Sequence, residues 1–179
     1  MKNTLIKLGL VLKKEIVFTA ALLLAVISSL FVHLFFIVFA ILIFALMGKL
    51  PPVQIIQIGY YTFAVICLVV VLSYLTCSIT PFFRDFGQII NVILNVGMWA
   101  TPILWDTTTI PNIPNWLNSL LKLNPLYYIV QGYRDAFIYK IWFWQRPGMT
   151  LYFWAFTLVF WLIGTRMFRK LKIHFADVL

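Results

Sequence analysis

The sequence predicts an all-α integral membrane protein, with four transmembrane helices and short re-entrant or interfacial helices before the last span. Of the 179 residues, 63% are hydrophobic and only 11% are charged, and a soluble domain of this size could not bury so much apolar surface. Four long apolar runs are separated by polar or Pro-containing segments, of which the one before the last run is the longest. Aromatic residues make up 18% of the chain, with seven Trp and eight Tyr, as in the aromatic belts of membrane proteins.

The first apolar run covers residues 16–47. As a helix rising ~1.5 Å per residue it would be about 48 Å long, which exceeds a ~30 Å hydrocarbon core. The run is therefore either one strongly tilted helix or two pieces. We expect the span itself at 24–47, with 16–23 entering along the cytoplasmic interface after a cytoplasmic segment at 1–15.

The second and third spans are predicted on either side of a short turn. The second span covers 55–79 and ends at a Thr-Pro pair, followed by the turn PFFRDFG. Arg84 and Asp85 in this turn are candidates for contact with a cytoplasmic partner, or are simply solvated. The third span covers 88–105 and ends in WATPILWD, where two Trp and a Pro fit an interfacial helix end.

The segment 106–149 is predicted to lie outside the membrane or to dip back into the outer leaflet. Re-entrant backbone of this kind requires protein or a water-filled cavity around it. The segment holds a short predicted helix at 114–121 and a Trp-rich interfacial anchor at 141–145. The last span is predicted at 150–168, and a cytoplasmic tail follows at 169–179.

Positive charges predict the orientation. Nine of the 14 Lys and Arg residues fall on the side of the two termini and the turn after the second span, and the other five fall on the opposite side. The richer side is cytoplasmic, so both termini are predicted inside a multi-pass protein of the plasma membrane. The net charge of +9 could indicate an anionic partner, but this asymmetry is the simpler explanation, and we expect no nucleic-acid partner.

The stretch KLNPLYYIVQGYRDAF at 122–137 is the most informative part of the chain. Asn124 followed by Pro125 is a helix-start signature, an amide cap and then a ring-locked first residue. From there an apolar stripe recurs at helical spacing, formed by Leu126, Ile129, Val130, Tyr133 and Phe137. The opposite side carries Tyr127, Gln131, Arg134 and Asp135.

Two interpretations of this amphipathic helix remain open from its spacing. Its polar side could line a translocation path, or the helix could lie in the outer interface with that side in water. Gln131 and Asp135 are four residues apart and can pair, whereas the adjacent Arg134 and Asp135 point about 100° apart.

Several kinds of chemistry have no signature in the sequence. Gly48-Lys49 lacks the upstream glycine and the following Ser or Thr of a phosphate-binding loop, and no metal-ligand cluster or nucleophile–base set is recognisable. Cys67 and Cys77 are expected to be plain packing residues. His33, within the first span, is a functional candidate by default, although a neutral His bonded to a neighbouring helix is the simpler interpretation. We therefore expect no cofactor, no metal and no catalytic residue.

Three ordered motifs resemble the membrane subunits of type-2 ABC exporters for polysaccharides, especially teichoic acid permeases. These motifs are PFFRDFGQIINVILNVGMWATPILWD, KLNPLYYIVQGYRDAFI and the terminal HFADVL. The resemblance implies a homodimer with a channel between its subunits, two copies of a separate ATPase subunit, and an anionic glycopolymer carried on undecaprenyl diphosphate.

The resemblance also implies which residues shape the exit. An outer element would contain Asn124, Pro125, Tyr127, Tyr128, Tyr133 and Arg134, while Pro102 and Trp105 would close the preceding span. With Gln131 and Asp135 added from spacing, these residues form the predicted substrate path and outer gate. Family members usually have six spans, so the four predicted here suggest an N-terminally truncated chain.

Two rival interpretations remain. The first is a membrane-embedded enzyme of lipid-linked sugar metabolism, for which only Asp106 and Asp135 could serve as acid or base. The second is a non-transporting permease fragment or accessory membrane protein.

Overall fold

In the computed structural model, the described residues form helices and a few short turns. It describes residues 2–48, 52–80, 82–83, 85–103 and 114–171, with residues 2–19, 21 and 22 described by their backbone alone. Its main helices are α1 (Lys2–Leu46), α2 (Gln57–Ile79), α3 (Phe86–Ala100), α4 (Asn115–Lys122), α5 (Pro125–Arg134) and α6 (Pro147–Leu171). A 3-10 turn, Val53–Ile56, precedes α2, while a π-helical turn, Asp135–Tyr139, and a second 3-10 turn, Phe143–Gln145, connect α5 to α6.

Within these described ranges, three helices are long and apolar enough to cross a membrane. They are Leu23–Leu46, Val53–Ile79 and Pro147–Leu171. Each overlaps one of the spans predicted at 24–47, 55–79 and 150–168. The all-helical fold and a multi-pass membrane protein are therefore confirmed at this coarser level.

The fourth predicted span, at 88–105, is not confirmed. Its helix α3 has 15 residues, about 22 Å at ~1.5 Å per residue, which is short for a hydrocarbon core of ~30 Å. The helix ends at Ala100, and the backbone of the next residue, Thr101, is extended (φ −82°, ψ 126°), because a residue before proline is disfavoured in the helical region. Pro102 thus ends a helix that the hydropathy alone would continue.

Helix α1 is unbroken over its 45 residues, which resolves the two alternatives for the first apolar run in favour of one helix. At ~1.5 Å per residue it is about 68 Å long, more than twice a hydrocarbon core. In its apolar part, Leu23–Leu46, none of the most apolar stretch of 18 residues is buried by the rest of the protein. Most of its surface is therefore free for lipid or for another subunit.

The core lies where α2, α5 and α6 meet. Its buried members are Tyr61, Ala64, Leu68, Tyr128, Ile129 and Phe153. Further along the same pair of helices, Gly164 of α6 faces the backbone of Leu75, and a Cβ added there would lie 3.6 Å from the Leu75 nitrogen. Small residues of this kind let membrane helices approach closely, so α2 and α6 form the scaffold against which α5 is placed.

Candidate functional site

One side chain joins the end of α3 to the start of α5. The Oδ1 atom of Asn124 accepts a hydrogen bond from the Leu126 backbone N–H at 3.0 Å, which caps α5 as the sequence predicted. Its Nδ2 atom donates to Thr101 Oγ1 at 2.7 Å and to the Gly97 carbonyl at 3.3 Å. Pro125 follows as the first helical residue. Asn124 therefore caps the first turn of α5 and also donates to the C-terminal end of α3.

A second contact joins the far end of α5 to the same segment. Arg134 Nη2 donates to the Ile103 carbonyl at 3.1 Å, and both Thr101 and Pro102 are fully buried. The Thr-Pro-Ile motif and the Asn-Pro helix, recognised separately in the sequence, thus contact each other through Asn124 and Arg134.

Tyr133 connects α5 to two candidate spans. Its hydroxyl lies 2.7 Å from Nε2 of His33 on α1 and 3.0 Å from Oγ1 of Thr62 on α2, and its ring meets the His33 ring edge-on at a centroid distance of 5.6 Å. His33 therefore has a hydrogen-bond partner on a neighbouring helix, as the simpler interpretation held. His33 is thirteen residues before Leu46, or about 20 Å along α1.

Tyr128 lies in the aromatic part of the core. Its hydroxyl is 3.1 Å from that of Tyr60 and 3.1 Å from Thr150 Oγ1, and its ring stacks on Phe153 at 4.9 Å. Burial raises the pKa of the Tyr128 phenol, so the hydroxyl stays protonated and available as a donor. The neighbouring Tyr127 is also buried.

Asp135 is buried and engaged by a cation. Its side chain is 3% exposed, and Arg146 Nε lies 3.0 Å from Oδ2 while Arg146 Nη2 donates to Oδ1 at 3.2 Å. Gln131 Nε2 also donates to Oδ1, at 3.3 Å, which confirms the pairing expected from their spacing. Gln131 and Asp135 therefore face into the protein rather than water. Arg146 supplies the positive charge that compensates the buried Asp135 carboxylate.

Sequence reasoning missed Gln57, which is 3% exposed at the start of α2. Its Nε2 donates to the Ile141 carbonyl at 2.8 Å, and its Oε1 accepts from the Phe143 N–H at 3.0 Å. One amide thus satisfies two backbone groups of the segment between α5 and α6. The only signal in the sequence was an amide beside a long apolar run.

With this geometry established, comparison with known proteins assigns the family. The family described as ABC-2 type transporter matches residues 4–138, most of the chain. The chain belongs to the ABC-2 type transporter family. The matched region ends at 138 and therefore includes Asn124, Tyr133 and Asp135, while Arg146 and α6 lie beyond it.

Two curated relatives are O-antigen export system permease proteins RfbA of Klebsiella pneumoniae. One is 27% identical over 108 residues, and the other is 28% identical over 107 residues. In each case the alignment covers 60% of this chain and 39% of the relative. The chain thus spans well under half the length of the relatives it matches.

Four other residues of this ABC-2 chain were predicted as a partner contact, a gate residue or an acid, namely Arg84, Asp85, Trp105 and Asp106. Asp85 is exposed at the start of α3, and Arg84, Trp105 and Asp106 lie outside the described residues. Over the described ranges, no group of three or more His, Cys, Asp or Glu side chains could hold a metal ion.

Proposed function

We propose that the chain is a permease subunit of an ABC exporter that carries a lipid-linked polysaccharide out of the cell. The observation that carries this proposal is the position of Tyr133, whose hydroxyl bonds both His33 and Thr62. A helix with polar residues is thereby held against two apolar helices that are long enough to span a membrane. The O-antigen export permeases among the relatives support a polysaccharide as the cargo.

Helix α5 would enter the outer leaflet and form the outer gate of the exporter. With the termini in the cytoplasm, Leu46 is near the outer end of α1, and His33 is about 20 Å inward. The contact between Tyr133 and His33 supports a segment 106–149 that dips into the membrane. The gate would consist of Pro102, Trp105, Asn124, Pro125, Tyr127, Tyr128, Tyr133 and Arg134.

Gln131 and Asp135 would support this gate from within rather than contact cargo. Both are buried, and the Asp135 carboxylate is already bonded by Arg146. The same geometry disfavours an enzyme of lipid-linked sugar metabolism, because a carboxylate held by two donors of one guanidinium is a poor acid or base.

Partners of two kinds would complete the exporter. No described residue of α3 is buried, and α1 is largely uncovered, so two apolar surfaces are available to a second copy of the chain. A pair of separate ATPase subunits would bind the cytoplasmic side, near the turn that holds Arg84 and Asp85, and hydrolyse the ATP. The exporter would lie in the plasma membrane, with both termini of each permease in the cytoplasm, an arrangement that requires α3 and the residues after it to complete a fourth crossing.

The cargo would be an anionic polymer on undecaprenyl diphosphate, and teichoic acid is the polymer we expect. Depleting the chain in its host tests this. Lipid-linked polymer should accumulate inside the cell while the same polymer disappears from the surface, and restoring the chain should reverse both changes. If the accumulated polymer is rich in phosphate, the cargo is teichoic acid as expected. If it contains no phosphate, the cargo is a different polysaccharide. Unchanged surface polymer would contradict the exporter proposal.

A further inference from the structure

The connector between α5 and α6, residues 135–146, is held at two separate points. At its base, Asp135 and Arg146 form an ion pair at 3.0 Å, which brings the two ends of the connector together. Further along, Gln57 of α2 bonds the backbone of Ile141 and Phe143. We use the term latch for Asp135, Arg146 and Gln57 together.

The two halves of α5 are held differently. In the first half, Tyr128 and Ile129 belong to the core cluster and pack among α2 and α6 side chains. In the second half, Gly132 packs against the Tyr61 ring with no room for a Cβ atom between them, and the Tyr133 hydroxyl bonds His33 and Thr62. The second half contributes no buried member to the core cluster, and hydrogen bonds of one side chain can break and re-form more readily than core packing can.

The backbone beyond Gly132 is irregular. The π-helical turn Asp135–Tyr139 continues α5, and Lys140 ends it in the left-handed conformation with φ of 57°. Turns of the π type are common at functional sites, and hinges are usually a few residues at the end of an element. The change of helix type and the left-handed residue both fall inside the connector.

From these contacts we propose that the latch is a conformational device, which keeps the second half of α5 closed against α2 and releases it when the gate opens. The first half of α5 remains in the core and acts as the fixed end. The device makes Gln57 and Arg146 positioning residues of the outer gate. Its existence can be tested on the chain alone, and its use during transport rests on the proposed function.

Two alanines provide matched probes for the test. Ala136, beside the latch, and Ala64, in the core on α2, are both 0% exposed. Each is replaced by cysteine in a chain in which Cys67 and Cys77 are alanine, and the purified full chain in detergent is treated with a bulky maleimide. The latch predicts that Arg146→Gln or Gln57→Ala raises the labelling rate at position 136 by about tenfold. Labelling at position 64 should stay unchanged.

A double variant in which both Asp135 and Arg146 are replaced by neutral amides separates the effect of charge from the effect of the lost contact. Arg146→Gln leaves a buried carboxylate without its cation, whereas Asp135→Asn with Arg146→Gln removes both charges. Losing one partner of a buried pair costs more than replacing the pair, so the double variant should be labelled more slowly at position 136 than Arg146→Gln. Unchanged labelling at 136 in the single variants would overturn the proposal, and so would equal labelling at both probes.

The same probe tests the device in the transporter. In membranes that hold the chain with its ATPase, ATP should raise labelling at position 136 while the latch residues are intact. Equal labelling with and without ATP, in membranes that still export polymer, would show that the latch stays closed during transport. That result would overturn its role in opening. Absence of export by the unmodified chain would instead contradict the proposed function.

Discussion

The hydroxyl of Tyr133 on α5 lies 2.7 Å from Nε2 of His33 on α1, a contact between residues 100 positions apart. Thr62 of α2 bonds the same hydroxyl at 3.0 Å. One hydroxyl thus bonds α5 to two of the candidate spans. The position of α5 along α1 therefore depends in part on one phenol group.

Removing this phenol oxygen should weaken the fold measurably. Tyr133→Phe keeps the ring and loses both hydrogen bonds, and we expect the free energy of unfolding to fall by about 1 kcal/mol. Thermal unfolding of the chain in detergent measures it. In a double-mutant cycle with His33→Leu, the two losses should be less than additive, and full additivity would show that the two residues do not interact.

Asn124 should be sensitive to substitution for two reasons. Asn124→Ala removes the cap of α5 and the bond to Thr101, and a lost cap alone costs about 1 kcal/mol. Asn124→Asp keeps the capping oxygen and loses the donor to Thr101, so its melting temperature should lie between those of the alanine variant and the original chain. Asn115→Ala, at an exposed position of α4, is the control and should change little. Equal effects of Asn124→Ala and Asn124→Asp would contradict the contact with Thr101.

Gly132 should tolerate no side chain while Tyr61 stays in place. A Cβ at 132 would overlap the Tyr61 ring, so Gly132→Ala should destabilise the chain by about 1–3 kcal/mol. Gly59→Ala, at a glycine with open space around it, is the matched control and should be neutral or stabilising. Adding Tyr61→Leu to Gly132→Ala should recover part of the loss in a thermal melt. A loss that Tyr61→Leu does not reduce would show that the ring is not the obstacle.

At Lys140, unlike Gly132, a change of side chain is expected to leave the melting temperature unchanged or to raise it when the new residue is glycine. Its left-handed backbone, with φ of 57°, costs an ordinary residue about 1 kcal/mol that glycine avoids. Lys140→Gly should therefore leave the melting temperature unchanged or raise it, whereas Lys140→Val should lower it. Ser119→Gly, at an exposed position in the middle of α4, is a control that should destabilise, because glycine is unfavourable inside a helix. A lower melting temperature for Lys140→Gly would contradict the left-handed assignment.

The sequence predicted the features that depend on near neighbours. Asn124 and Pro125 carry their own helix-start chemistry, and Gln131 with Asp135 follows from helical spacing, so each required only a few residues of context. The span predicted at 88–105 is not confirmed, because hydropathy does not register the local effect of Pro102 on Thr101, which follows the helix end at Ala100. The contacts of Tyr133 with His33, of Asp135 with Arg146 and of Gln57 with the connector depend on how helices pack. No spacing within one segment could reveal them.

The most direct test of the central claim is to purify the tagged chain from its native membrane in detergent and to measure the ATPase activity that comes with it. As an exporter permease, the chain should retain a nucleotide-binding subunit whose ATP hydrolysis rises when lipid-linked polymer is added. A chain that is expressed and inserted in the membrane but retains no ATPase would contradict the account.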